Sequence, residues 1–242
     1  VTFLVVGVVA TWLIRRRWPD GLREATPTYE TRPWLGMALP SIFIAGMSIL
    51  LNSTDRVMIG SLLNTDLTGI YNASTRTAQL VVFGLSAVNA MLGPMVSGMH
   101  STGQTKQLQK VLRMAAFGLF AYTAVGSLAL IAFGPWVLRL FGEEFASGYA
   151  PLVIMVVAQT VNATCGSVGL LLQMSGHQRK VAGVLGAAAT LNVALNFALI
   201  PLYGMNGAAF STGVSMIVWN VTMLLIVKRT LNLNPTIFRL PR

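Results

Sequence analysis

The chain has 242 residues, a mean hydropathy of +0.67 and only 10% charged residues, where a water-soluble domain carries about 25%. So few charges cannot coat a water-facing surface of this size, and the long apolar runs match the roughly 20 residues a helix needs to cross a bilayer. The net charge of +10, from 17 Lys and Arg against 7 Asp and Glu, does not indicate a nucleic-acid partner: the basic residues sit between apolar runs, without the interleaved aromatics of an RNA-binding surface.

The apolar runs are continuous and rich in Leu, Ala, Gly and Met rather than alternating, so the fold class expected is all-α, a polytopic transmembrane helix bundle. Seven segments follow in chain order. Val1–Ile14 is 14 residues long and reaches about 21 Å, short of a roughly 30 Å hydrocarbon core. Its charges follow the apolar run and no small-residue cleavage site is present, so it is not a signal peptide; it reads as the truncated end of a helix. Residues 15–33 are charged and contain Pro19-Asp20-Gly21, Pro27 and Pro33, a turn-rich cytoplasmic linker rather than a domain. Residues 34–230 hold six spans: Trp34–Leu63, Thr68–Met99, Val111–Phe133, Ala150–Met174, Val181–Ile200 and Gly207–Val227. The connection Gly134–Tyr149 carries aromatics beside charges and suits a segment lying in the headgroups. Residues 231–242 form a tail.

The basic residues alternate between connections. Arg15, Arg16, Arg17, Arg23, Arg32, Lys106, Lys110, Arg113, Arg179, Lys180, Lys228, Arg229, Arg239 and Arg242 fall on one side; Arg56 and Arg139 fall on the other. Positive charge is retained in the cytoplasm. The expected location is therefore the cell (inner, cytoplasmic) membrane, multi-pass, with the C-terminus cytoplasmic.

No metal, nucleophile or phosphate-loop constellation occurs, so no cofactor, no metal and no enzymatic activity are expected. His100 and His177 read as solvated loop residues, and Cys165 as a small packed one. Ionisable side chains at membrane depth are expensive and face a bundle interior or a watery cavity. Arg76 lies about eight residues into its span, and Asp55-Arg56 about 33 Å along the preceding one. The two arginines therefore come from adjacent antiparallel helices at comparable height. Two readings stand open: Arg56 and Arg76 hold an anionic group, to which the planar guanidinium is suited, or Asp55 pairs with Arg76 or Arg56 and ties two helices together. Asn52, Asn72, Gln79, Asn89, Gln159, Asn162, Gln173, Asn192, Asn196 and Asn220 read mainly as helix–helix hydrogen bonds. Gly207/Ser211/Ser215 and Cys165/Gly169 read as close-packing faces. Pro40, Pro94 and Pro151 are candidate kinks.

Thr54-Asp55-Arg56-Val57-Met58-Ile59-Gly60, followed by Gly69-Ile70-Tyr71-Asn72-Ala73, resembles the start of the C-terminal lobe of polysaccharide-transporter (Wzx-like) proteins of the multidrug/oligosaccharidyl-lipid/polysaccharide (MOP) exporter superfamily. The resemblance continues through Gly93-Pro94-Met95-Val96-Ser97, Leu140-Phe141-Gly142-Glu143-Glu144-Phe145, Leu171-Leu172-Gln173-Met174-Ser175-Gly176-His177-Gln178 and Leu199-Ile200-Pro201-Leu202-Tyr203-Gly204-Met205-Asn206-Gly207. It implies two helical lobes around a cavity that opens alternately to each side. This chain would be the second six-helix lobe plus the end of the preceding helix, its partner being the N-terminal lobe. It further implies a flippase that moves a polyprenyl-pyrophosphate glycan, with Arg56 and Arg76 as candidate headgroup contacts and Asp55 as a possible ion-coupling or ion-pair residue. Lipid-linked glycan, membrane lipids and a glycan polymerase with its export machinery are the partners implied; nucleic acid is not. The setting the resemblance implies is polysaccharide biosynthesis, such as that of lipopolysaccharide or exopolysaccharide, and the glycan itself stays open. The alternatives are a drug/cation antiporter of the same superfamily, which needs deep acidic residues, and an integral membrane glycan-processing enzyme, which needs a large loop with carboxylates.

Overall fold

The computed structural model describes residues 2–16 and 31–236. Most of the expected linker and residues 237–242 of the expected tail lie outside the described residues. The chain divides into two compact units, Val1–Gly36 and Met37–Arg242. The first holds α1 (Thr2–Arg16), an apolar helix on which the Arg16 guanidinium lies 5.1 Å from the centre of the Trp12 ring.

The second unit takes in the rest of α2 (Thr31–Leu62), α3 (Thr65–Gln79), α4 (Phe83–Ser101), α5 (Thr105–Arg139), α6 (Tyr149–Cys165), α7 (Val168–Met174) and α8 (Gln178–Leu231). Among the described residues, five helical stretches are long and apolar enough to cross a membrane, as the composition requires. A 3-10 turn at Leu80–Val82 joins α3 to α4 within one span. α5 runs through Pro135 to Arg139, six residues further than expected, so only the short 3-10 helix Glu143–Gly148 remains of the expected interfacial segment. Pro151 lies in the first turn of α6. There no intrahelical N–H bond is required, so it causes no kink.

α8 decides the topology of the last two spans. Its 54 residues would reach about 81 Å if straight, far beyond a bilayer core. Asn192 Nδ2 donates to Thr212 Oγ1 at 3.1 Å and Lys180 Nζ to Thr230 Oγ1 at 3.2 Å, which is possible only if the helix folds back on itself. The reversal is at Gly204, whose φ of 55° and ψ of −134° lie outside the helical region. The two arms, 178–203 and 205–231, are thus antiparallel, in keeping with the two spans expected there. In contrast, the expected single span over 150–174 is broken. Gly166 adopts φ 70°, and a Cβ there would lie 2.7 Å from the Pro235 carbonyl oxygen. The segment after α8 packs into that break, and the Cys165/Gly169 pair does not form one helical face.

Two apolar clusters fill the second unit. Leu51, Val96, Leu112, Leu171, Val181 and Val227 belong to the one nearer the 101–105 turn. Ile59, Leu138, Leu152, Val156, Ile200 and Ala208 belong to the one nearer the 62–65 turn. Trp219 packs against both. The second arm of α8 is the central helix. Gly207, Ser211 and Ser215 are buried as expected, the two serines donating to carbonyls one turn back at 2.8 Å. Those bonds satisfy the hydroxyls within the helix, so a small-residue face can pack closely. The outward apolar residues Ile42, Phe117, Val125 and Leu128 are 68–70% exposed, a surface stable in lipid rather than water.

Candidate functional site

α2 and α3 form an antiparallel hairpin around residues 63–64. Asn64 caps α3 by accepting from the Leu67 N–H at 2.8 Å, and Asp66 follows in the positive first turn. Gly60 lets the helices close: a Cβ there would stand 3.3 Å from Thr68 Oγ1. Residues equidistant from the turn therefore meet. Arg56 donates from one terminal nitrogen to Asn72 Oδ1 at 3.1 Å and from the other to the Asn52 carbonyl. Asn52 is exposed, Arg56 and Asn72 half-buried. Arg76 follows Asn72 by four residues and so lies on the same face of α3, one turn deeper. It is exposed, with no hydrogen bond or ion pair among the described residues. Counted from Thr65, Arg76 is about 17 Å into the span. Asn52, Arg56, Asn72 and Arg76 thus make a basic, polar stripe at membrane depth on a bundle whose other described outward residues there carry no charge.

Asp55 points the other way. It is 4% exposed, because successive helix residues diverge by about 100°. Its Oδ2 accepts from the Tyr71 hydroxyl at 2.5 Å and the Thr212 hydroxyl at 3.3 Å, and its Oδ1 from the Arg56 backbone N–H at 3.1 Å. Neither Arg56 nor Arg76 forms a salt bridge with it: among the described residues the one ion pair is Arg139–Glu143 at 3.4 Å. The tie between helices is made by hydroxyls, not by an ion pair. From Thr212 the polar chain continues into the first arm of α8: Asn192 donates to Thr212 Oγ1, and Asn196 Nδ2 donates to Asn192 Oδ1 at 3.1 Å. Asn196 Oδ1, fully buried, has no donor. A buried carboxylate without a basic partner and a buried amide oxygen without a donor are both costly. They occur on one connected network, between the two apolar clusters.

Sequence reasoning placed the two arginines and Asp55 but missed Tyr71 and Thr212 as partners of Asp55, and the Asn192–Asn196 pair that extends the network from Thr212. Tyr71 was within reach, since Asp55 and Tyr71 mirror each other about the 63–64 turn. Of the polar residues read as helix–helix ties, Asn72, Asn89 and Asn192 reach other segments, Asn89 through Ser167 at 2.5 Å. Asn52, Gln173 and Asn220 instead bond carbonyls of their own helix. His177 is not a solvated loop residue: it is half-buried at the start of α8, with Nδ1 buried and unpaired. His100 lies within α4.

A helical bundle with five stretches long and apolar enough to cross a bilayer defines a polytopic membrane protein. Residues 2–150 match the family of polysaccharide biosynthesis proteins, and the chain belongs to that family. It is similar to the probable flippase AglR of Haloferax volcanii, 25% identical over 168 residues, covering 67% of this chain and 35% of the relative. It is also similar to the probable low-salt glycan biosynthesis flippase Agl15 of the same organism, 24% identical over 165 residues, with 68% and 35% covered. The matched stretch spans about a third of the length of these curated relatives. No solved structure matches.

Proposed function

We propose that this chain is the C-terminal lobe of a flippase that carries a lipid-linked glycan across the cell membrane by alternating access, with its C-terminus in the cytoplasm and without chemical conversion of the substrate. The observation that carries the reading is the outward stripe Asn52–Arg56–Asn72–Arg76 at membrane depth, exposed at Asn52 and Arg76 and half-buried between them. An exposed arginine there is tolerated where it lines a watery cavity, and guanidinium groups suit a pyrophosphate. In this reading the polyprenyl tail stays in the bilayer, while Arg56, aimed by Asn72, and the freely placed Arg76 lower the cost of bringing the anionic headgroup through. Relatives named as flippases support the class, and the coverage of about a third supports a partner lobe. The basic residues gathered at the 101–105, 174–178 and 228–231 ends support their cytoplasmic orientation. A glycan polymerase and export machinery would take over the product.

The buried Asp55 network favours a second, coupled role over a cation antiporter. The charge facing outward is positive, which opposes a cationic substrate. The inward carboxylate, with the unpaired Asn196 oxygen on the same network, suits a proton or small cation taken up to drive the conformational cycle.

The test uses the full-length protein in spheroplasts of a strain lacking it, measuring lipid-linked glycan accessible from outside. Arg76→Ala and Arg56→Ala are each expected to lower outward exposure about tenfold at unchanged protein level, the loss of one charge-assisted hydrogen bond of roughly 1.5–3 kcal/mol. Arg76→Lys is expected to restore part of it, since the charge is kept without the planar fork. Unchanged exposure in both Ala variants would remove the arginines from the substrate path.

A further inference from the structure

The opposite end of the second unit carries a second group of cations, apart from Arg56 and Arg76. We propose that the first four turns of α5 form a binding site for an anionic phospholipid of the leaflet at that end. Lys106, Lys110 and Arg113 follow one another at i, i+4 and i+7, hence on one stripe of the helix over about 10 Å. All three are exposed, and none makes a hydrogen bond or ion pair among the described residues. They rim a concavity of about 690 Å³ whose remaining wall includes Met114, Phe117 and Gly118. The described acids, Asp55, Asp66, Glu143 and Glu144, all belong to the other half of the bundle, so among the described residues no carboxylate competes for these cations.

The order of chemistry along the stripe is that of a phospholipid. Three cations come first, at the depth of headgroup phosphates. Met114 and Phe117 follow, 64% and 68% exposed, and lead into the lipid-facing Val125 and Leu128. At Gly118 a Cβ would meet nothing within 4 Å, so the helix surface is notched beside the Phe117 ring, where an acyl chain can lie. One wall is fixed: Gln109, also lining the concavity, donates to the Asn234 carbonyl at 2.6 Å and accepts from the Asn234 N–H at 2.8 Å.

Membrane orientation alone explains the sign of charge at this end but not its stacking. Arg179–Lys180 and Lys228–Arg229, at the same end, are adjacent pairs whose members diverge around the helix, and Lys180 is engaged by Thr230. Among the described residues, the α5 cations are the ones that converge on a cleft that turns apolar. Ammonium and guanidinium groups bind phosphate oxygens by charge-assisted hydrogen bonds, and a cation near an anionic lipid surface contributes about fivefold in affinity.

The experiment is native mass spectrometry of the full-length protein in detergent, titrated with phosphatidylglycerol or with phosphatidylcholine of the same acyl chains. The wild type is expected to retain phosphatidylglycerol preferentially. K106Q/K110Q/R113Q is expected to lose about a hundredfold in that affinity, down to the phosphatidylcholine level, while K228Q/R229Q changes it little. Gly118→Leu, which keeps every charge, is expected to weaken it severalfold by filling the notch. Equal retention of the two lipids by the wild type overturns the proposal, as does a loss in K228Q/R229Q equal to that of the α5 variant. Should the triple variant not assemble, R113Q and Gly118→Leu decide: phosphatidylglycerol affinity unchanged in both also overturns it.

Discussion

Asp55→Asn in the full-length protein is expected to leave the bundle folded and to lower transport about a hundredfold. The amide oxygen can still accept from Tyr71 and Thr212, which both bond the same carboxylate oxygen. Only the hydrogen bond from the Arg56 N–H is given up, worth about 1 kcal/mol. What changes is the charge. A lone carboxylate buried without a basic partner costs several kcal/mol, and in this protein its hydrogen-bonded network ends, through Thr212 and Asn192, at Asn196, whose amide oxygen has no donor among the described residues. A packing role would be served as well by an amide, whereas a coupling role needs a group that takes up a proton or cation and releases it. The measurement is transport in proteoliposomes under imposed proton or sodium gradients, alongside a melting curve in detergent. The wild type should respond to one of the gradients, and D55N to neither, with a melting temperature within a few degrees. If D55N transports at the wild-type rate and keeps its gradient response, Asp55 is only a polar tie between α2, α3 and α8.

Gly207→Val is expected to cause the largest loss of stability. A Cβ at Gly207 would collide with the carbonyl of Leu199 across the α8 reversal, and the obstacle is backbone, which cannot turn aside as a side chain can. Overpacking of this kind costs about 3 kcal/mol, which for a chain of this size corresponds to a fall of about 6–12 °C in melting temperature. Gly204→Ala makes the comparison. Its Cβ would have room, the nearest atom being Leu63 Cδ1 at 3.8 Å, and its penalty is conformational only, about 1–3 kcal/mol for a non-glycine residue in that backbone region. The expected order is G207V below G204A below wild type in fluorescence-detected melting. Equal melting temperatures for G207V and wild type would mean that the two arms do not approach as closely as the Asn192–Thr212 bond requires.

Some of the site was legible because a short turn fixes height. With α2 and α3 joined at residues 63–64, positions equidistant from the turn must meet, so Arg56 with Asn72 and Asp55 with Tyr71 follow from counting. The direction of each side chain also follows in part. Adjacent helix positions diverge, so Asp55 and Arg56 cannot both face one partner, and the alternative in which Asp55 pairs with Arg56 ignored that geometry. The break at Gly166 was not legible. Residues 150–174 form an unbroken apolar run, and nothing local in Cys165-Gly166-Ser167 outweighs it. The break is held from outside by the segment carrying Pro235, and Ser167 is held by Asn89.

The sequence by itself determined that this is an all-α membrane protein, which ends carry the positive charge, and which few ionisable residues lie at membrane depth. Those properties follow from hydropathy and charge order along the chain, which tertiary contacts do not alter. Only the tertiary structure decided that Asp55 is met by hydroxyls rather than by arginine, since Thr212 is 157 residues away and reaches it only after α8 reverses at Gly204. The same packing leaves Arg76 outside, with no partner among the described residues. Which charge is enclosed and which is left open depends on how distant helices pack, and hydropathy carries no information about that.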